Sequence, residues 1–250
     1  MSATDDWTVG FFDEPYTELF PFPGDVQSEA EVEALLALLP SPPAQVLDLA
    51  CGPGRHAVRL AERGYEVTGL DASVEFLEAA RASADARGLT SIDFVEGDMR
   101  ALTFERRFDA AINLFTAWGY FDDDTNQQVL HSVAAALRPQ GRFVLDVMNR
   151  DWLASAYTAK DWVRLRDGAF AVSERTFEPV AGTNVVSHRW RAPDGELRER
   201  HHELRVYTAT ELDRMLRAAG LVPTAWYGGF DLEPLQFRSR RLLVVSERTA

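Results

Sequence analysis

The stretch Leu47-Asp48-Leu49-Ala50-Cys51-Gly52-Pro53-Gly54 restricts what this chain can fold into more than any other. Val46 to Leu49 reads as a buried strand, and the glycines hand it to a helix that begins at Arg55. Glycines are needed at such a turn when a ligand must come closer to the backbone than a Cβ allows, and the free N–H groups at the helix start favour an anionic group. Asp71 lies 19 residues beyond Gly52. It closes the second predicted strand, where a carboxylate can accept bonds from both hydroxyls of a ribose. The pattern calls for a nucleoside-containing ligand.

Around this unit, short apolar runs alternate with helical periodicity. Val32, Leu35, Leu36 and Leu39 recur at spacings of three and four, which predicts a helix over Ser28 to Leu39 ending before Pro40. Further helices are predicted over Arg55 to Arg63, Ser73 to Arg87, Asp124 to Arg138 and Glu211 to Ala219. Strands are predicted at Val67 to Leu70, Ile92 to Val95, Ala110 to Leu114, Phe143 to Val147 (after the turn Pro139-Gln140-Gly141), Leu221 to Trp226 and Leu242 to Ser246. Strands alternating with helices imply a parallel sheet with helices on both faces. Thr183 to Arg191 and Glu196 to Tyr207 alternate instead with period two around Pro193-Asp194-Gly195, which reads as an antiparallel hairpin. Four segments follow: an aromatic arm and helix over 1–40, a ligand-binding core over 41–150, a β insertion after the fifth strand over 151–208, and a helix with the last core strands over 209–250. The arm carries Trp7, Phe11, Phe12, Tyr16, Phe20 and Phe22 among Pro15, Pro21 and Pro23, and so is expected to pack on the body of the protein.

Composition narrows the class. The 250 residues are 46% hydrophobic and 26% charged, an ordinary globular balance. The single cysteine, Cys51, leaves no partner for an intrachain disulfide and no zinc cluster, so no metal is expected. The net charge of -13 opposes binding to phosphate backbones, so no nucleic-acid partner is expected. The early apolar run Ala34 to Leu39 is too short to cross a bilayer, and Asp5 and Asp6 stand where a signal peptide is basic, so no membrane partner and a cytoplasmic location are expected.

Two cofactor classes fit the glycine turn. Gly52, Gly54 and Ala57 with Asp71 satisfy a loose dinucleotide pattern, which admits a nicotinamide enzyme. Asp48, Ala50 and Gly97-Asp98-Met99 form a set that a pyrophosphate site does not need, and they suit a cofactor built from an amino acid and an adenosine. On these residues the chain resembles the class I S-adenosylmethionine-dependent methyltransferases. Ala-Cys-Gly-x-Gly is the turn of the glycine N-methyltransferases, while Gly97-Asp98-Met99-Arg100 and Gly119-Tyr120 are similar to the aminosugar N,N-dimethyltransferases. The resemblance implies an α/β fold with a Rossmann-like seven-stranded sheet and S-adenosylmethionine as cofactor. It implies that Ala50, Gly52 and Gly54 line the methionine part, Asp48 holds the methionine ammonium, Asp71 with Ala72 binds the ribose, Asp98 and Met99 meet adenine, and Leu114 closes the pocket. The glycine enzymes place a basic residue upstream against the methionine carboxylate. Asp25 to Ser28 offers none, and Arg55 is its expected substitute.

The expected activity is methyl transfer to a small-molecule acceptor, by preference an amine nitrogen, with O-methylation as the alternative. An RNA methyltransferase, a nicotinamide oxidoreductase and a non-catalytic cofactor-binding protein rank below these. Asn113 to Phe121 follows the fourth strand, where α/β sheets expose their ligand crevice. Trp118 and Tyr120 are expected at the acceptor because their polar tips want partners, whereas Phe115 and Phe121 divide evenly between core and site. Tyr16 is expected to close both the cofactor and the acceptor site. Asp122-Asp123-Asp124 reads as the first turn of a helix. Of His201 and His202 only one can face a site, and His188 is the other histidine that the insertion could bring over the pocket. A homodimer through the insertion is a further expectation.

Overall fold

The structure, a computed structural model, describes residues 11–249 apart from 13, 166, 167 and 193, with 14, 15 and 18 described by backbone only. Trp7, the acidic pair Asp5-Asp6 and Pro193 therefore lie outside the described residues. In chain order the elements are α1 (Glu14–Leu19), α2 (Asp25–Leu38), β1 (Gln45–Leu49), α3 (Arg55–Glu62), β2 (Glu66–Asp71), α4 (Val74–Asp85) and β3 (Ile92–Glu96). Then come β4 (Phe108–Asn113), α5 (Asp123–Ala136), β5 (Leu137–Met148), α6 (Arg150–Ser155), β6 (Lys160–Arg164), β7 (Phe170–Glu178), β8 (Thr183–Arg191) and β9 (Leu197–Arg205). The chain returns through α7 (Ala209–Ala218), β10 (Leu221–Tyr227) and β11 (Arg241–Arg248).

Seven strands form one sheet in the order β10-β11-β5-β4-β1-β2-β3, and β6 to β9 form a separate four-stranded sheet. From β5 to β3 all neighbours are parallel, while β11 runs antiparallel between β5 and β10. The expected seven-stranded α/β sheet with an antiparallel insertion after its fifth strand is the observed architecture. On one face Val46, Ile112 and Val144 pack against Val32 and Leu35 of α2, Val58 of α3 and Leu77 of α4. On the other, Leu47, Leu49 and Leu145 meet Val129 and Leu130 of α5 and Leu212 and Leu216 of α7. Each central strand thus buries both alternating faces, which is why it reads as continuously apolar.

Three differences from the sequence reading have local causes. The turn Pro139-Gln140-Gly141 does not precede β5 but sits inside it: the register jumps from Phe108↔Leu137 to Ala110↔Arg142, and residues 138–141 loop out. Gly141 permits this, since a Cβ there would stand 2.8 Å from the Arg138 carbonyl oxygen. The insertion holds four strands where a hairpin was predicted, because exposed β6 pairs with β7, whose mixed burial pattern hides its period. The arm contains α1, and its Phe11 and Tyr16 pack with Phe76 of α4, so it does dock on the body. No helix among the described residues is long and apolar enough to cross a membrane.

Candidate functional site

At the C-terminal ends of β1, β2, β3 and β4 the structure holds a cavity of about 380 Å³. This is where a doubly wound sheet opens a crevice between diverging loops. Its floor is Asp48, Ala50 and Gly52; one side is Asp71, Ala72 and Ser73 with Asp98, Met99 and Arg100; the other is Leu114, Phe115, Ala117, Tyr120 and Phe121. Phe12, Tyr16 and Phe22 of the arm cover it, with Phe76 behind them, and Arg55 and His56 close the end near α2. Every residue expected at the site lines this cavity except Gly54 and Trp118.

Those two exceptions are packing positions. Gly54 has φ +74 and caps α3, and a Cβ on it would lie 2.9 Å from Ala80 Cβ and 3.1 Å from the Phe94 ring, so the glycine lets α3 pack close to α4 and β3. Trp118 is 1% exposed. Its Nε1 donates to the Asn126 carbonyl at 3.3 Å, and its ring lies 4.8 Å from that of Tyr207. The loop turns at Gly119, whose carbonyl accepts from the Arg205 amide of β9 at 2.8 Å. That turn sends Trp118 into the core and leaves its neighbour Tyr120 on the cavity. The polar tip that singled out Trp118 finds its partner inside the protein, while Phe115 and Phe121, without polar tips, reach the site.

The glycine turn is shaped by backbone bonds. Asp71 Oδ2 accepts from the Gly52 amide at 2.7 Å and Oδ1 accepts from the Ser73 amide at 2.8 Å, which ties the β1–α3 loop to the end of β2. Burial raises the Asp71 carboxyl above its ordinary value, and these bonds work against that rise. Each oxygen keeps a lone pair with which it can accept from a hydroxyl. Asp98 accepts from the Arg100 amide and Nε, both at 2.8 Å, and Arg100 lies over the Phe121 ring, 4.6 Å from its centroid.

Asp48 is 2% exposed and its Oδ2 has no hydrogen-bond partner. Burial pushes its carboxyl up to about 7, with the Arg55 charge opposing the rise. A buried carboxylate oxygen left unpaired on a cavity wall is costly unless a donor or cation comes to it. This fits a bound group with an ammonium or sulfonium charge, and Asp48 and Asp71 together fit an amino acid joined to a nucleoside. His188 and His202 of the insertion stack 5.3 Å apart against Phe20, and neither lines the cavity. His201 is exposed on the opposite face, as strand alternation requires. Asp122 caps α5 by accepting from the Thr125 amide, and Asp123 pairs with Arg205.

The sequence reading missed several contributors. Phe12, Phe22 and Phe76 line the cavity, yet nothing distinguishes them from the other aromatics of the arm and of α4. Glu31, which binds both Arg55 and His56, sits on a helix whose spacing shows only its apolar face. Pairing across α2 and α3 is a tertiary fact with no local signature.

Comparison with known proteins agrees with this geometry. Residues 46–141 match the family described as a methyltransferase domain. The chain is 31% identical over 210 residues to the cypemycin N-terminal methyltransferase of a Streptomyces species, covering 81% of this chain and 82% of that protein. It is 30% identical over 151 residues to the glycine/sarcosine N-methyltransferase of Halorhodospira halochloris, covering 59% and 55%. Among solved structures it is similar to the CcbJ methyltransferase from Streptomyces caelestis, with a TM-score of 0.81, 25% identity, and 98% and 97% of the two chains covered. With a relative matched across four-fifths of both chains and a cavity shaped for an aminoacyl nucleoside, this chain belongs to the S-adenosylmethionine-dependent methyltransferases and is an enzyme of that family.

Proposed function

We propose that the enzyme methylates an amine nitrogen of a small-molecule acceptor. The observation that carries this reading is the character of the cavity wall contributed by the arm and the β4–α5 loop, which offers aromatic rings and protonated phenols but no histidine or carboxylate. Burial holds the Tyr16 hydroxyl well above its ordinary value and pushes that of Tyr120 up to about 12. His56 of α3, the one histidine lining the cavity among the described residues, is held down to about 4 by burial, and its Nε2 is engaged by Glu31 at 2.9 Å. An alcohol oxygen must lose its proton as it attacks and needs a base. A neutral amine attacks through its lone pair and releases its extra proton to water afterwards. The names of two relatives, the cypemycin N-terminal and the glycine/sarcosine N-methyltransferases, support a nitrogen acceptor.

In this proposal Asp71 with Ala72 binds the ribose, Asp48 the ammonium, Arg55 the carboxylate, and Asp98 with Met99 the adenine side, while Leu114 backs the cofactor. Bound S-adenosylmethionine supplies a methyl group on positively charged sulfur. The chain supplies alignment and exclusion of water, worth up to ~7–11 kcal/mol when both partners are held at attack distance. Tyr16 and Tyr120 orient the acceptor, and Phe12 and Phe22 shut the cavity above it. Electron-rich ring faces and the acidic surface also attract cationic amines before they deprotonate.

Turnover of a panel of amines and alcohols with methyl-labelled cofactor tests this, the labelled atom being located by NMR. The label is expected on nitrogen, with a rate that rises with pH as the amine deprotonates. A label on oxygen, or a single histidine substitution that abolishes turnover with cofactor binding intact, would replace the reading by O-methylation.

A further inference from the structure

Arg55 and Arg59 on α3 and Arg63 at its C-terminal cap face acids on α2 as a ladder. Arg63 pairs with Glu29 and Glu33, and Arg59 with Asp25 and Glu29; the carboxylates of both rungs are between 47% and 94% exposed. The third rung differs. Arg55 and Glu31 have side-chain exposures of 10% and 7%, and Arg55 lines the cofactor cavity. The outer rungs fasten two helices, as surface ion pairs do, with little effect on stability. A desolvated pair is no better for stability than apolar residues of the same size, so fastening does not account for the buried rung.

The geometry around Glu31 is fully specified. Its Oε2 accepts from Arg55 Nη1 and from His56 Nε2, the latter at 2.9 Å, and its Oε1 accepts from Gln27 Nε2 at 3.0 Å. Ser28 Oγ accepts from the same Arg55 nitrogen at 3.3 Å. Burial would raise the Glu31 carboxyl, but the His56 hydrogen bond and the Arg55 charge outweigh it and bring the carboxyl to about 2, so it stays ionised. The Phe115 ring lies beside the guanidinium, 5.3 Å from centroid to Cζ. Arg55 is thus held through Nη1 alone, while its Nε and Nη2 have no hydrogen-bond partner among the described residues. Guanidinium donors come as a planar fork, and a free Nε/Nη2 edge matches the two oxygens of a carboxylate.

We propose that Glu31 is a positioning residue that presents the free edge of Arg55 to the α-carboxylate of the cofactor, so that the site selects an S-adenosyl amino acid over its decarboxylated analogue. This rests on the cofactor assignment and on the role given to Arg55 above. It also explains how the chain manages without a basic residue in Asp25 to Ser28: α2 contributes the acid that aims the arginine, and α3 contributes the arginine.

Calorimetry on the full chain with S-adenosylmethionine and with its decarboxylated analogue tests the proposal without an acceptor, so the amine reading is judged separately. The wild type is expected to bind the carboxylated ligand at least tenfold more tightly. Glu31→Gln is expected to reduce that ratio severalfold and leave affinity for the decarboxylated analogue within threefold, and Arg55→Met to bring the ratio close to one. Arg59→Met, on the neighbouring rung, is expected to leave it unchanged. A wild-type ratio near one overturns the proposal without any variant. An unchanged ratio in Glu31→Gln, or equal weakening of both ligands as a merely structural role would give, overturns it as well. A wild type that binds neither ligand overturns it together with the cofactor assignment.

Discussion

The Asp146 carboxylate, on β5, accepts a hydrogen bond from the Phe115 amide at 2.9 Å, and the Asp146 carbonyl takes the next amide, that of Thr116, at 3.0 Å. Phe115 and Thr116 have φ of +62 and +59, a conformation that costs a side-chain-bearing residue roughly 1–2 kcal/mol. Two such residues in a row persist only if something holds them, and Asp146 does so. It is itself fixed by Arg241, whose Nε donates at 2.6 Å.

Replacing Asp146 by Ala therefore removes the side-chain half of the clamp, leaving the carbonyl bond to Thr116, and takes from Arg241 its carboxylate partner. Breaking a buried pair costs ~3–5 kcal/mol. Arg241 keeps 24% exposure, so a loss of about 2–3 kcal/mol is expected, measured by urea unfolding. Cofactor affinity should fall as well, because Phe115 leaves its place beside Arg55. Unchanged stability would show that the loop holds itself.

Within the glycine turn, two opposite substitutions should have opposite signs. Ala50 adopts φ +58, so Ala50→Gly relieves strain and is expected to leave stability unchanged or raise it by up to about 1 kcal/mol. Gly54→Ala adds strain and drives a Cβ against Ala80, with a loss of roughly 2–4 kcal/mol. Thermal unfolding of the two variants checks the order. A destabilised Ala50→Gly would mean that the alanine side chain, not its backbone, matters there.

Asp71→Ala should weaken S-adenosylmethionine binding at least tenfold. Charge-assisted bonds to buried hydroxyls are worth about 1.5–3 kcal/mol each, and the loop also loses its tie to Gly52. Calorimetry provides the measurement, and an unaltered affinity would remove Asp71 from the site.

Acid should unfold this protein through its buried histidines. Burial lowers His56 and His188 from 6.5 to about 4, and His202 to about 3. The unfolded chain binds protons near 6.5 while the folded chain does not, so the histidine contribution is fully present above 6.5. It falls as pH drops and levels off only below the folded values. The unfolding midpoint should decline from pH 6.5 toward 4, and His202→Phe should make the decline shallower. An equal slope in that variant would assign acid unfolding to other groups.

Much of the cavity wall around the glycine turn was legible because its signals are local. A strand, a glycine turn and a carboxylate at the end of the next strand are fixed by backbone geometry within one βαβ unit, and Asp48, Gly52 and Asp71 fall where that geometry puts them. The aromatic wall opposite was not. Trp118 and Phe115 are three residues apart in one aromatic loop, and which of them enters the core depends on the bond between Gly119 and Arg205, residues far apart in sequence. Glu31 and the four-stranded insertion escaped for the same reason, since their partners lie on other elements.

The placement of β11 between β5 and β10 bears on how the protein is made. β5 is translated long before the strand that must cover its free edge, and β10 has no place in the sheet until β11 arrives. A nascent chain emerging at ~5–20 residues per second thus spends several seconds with an apolar edge exposed. Chaperone demand during synthesis should concentrate in that interval, and truncations that remove β11 should yield aggregates rather than a smaller enzyme.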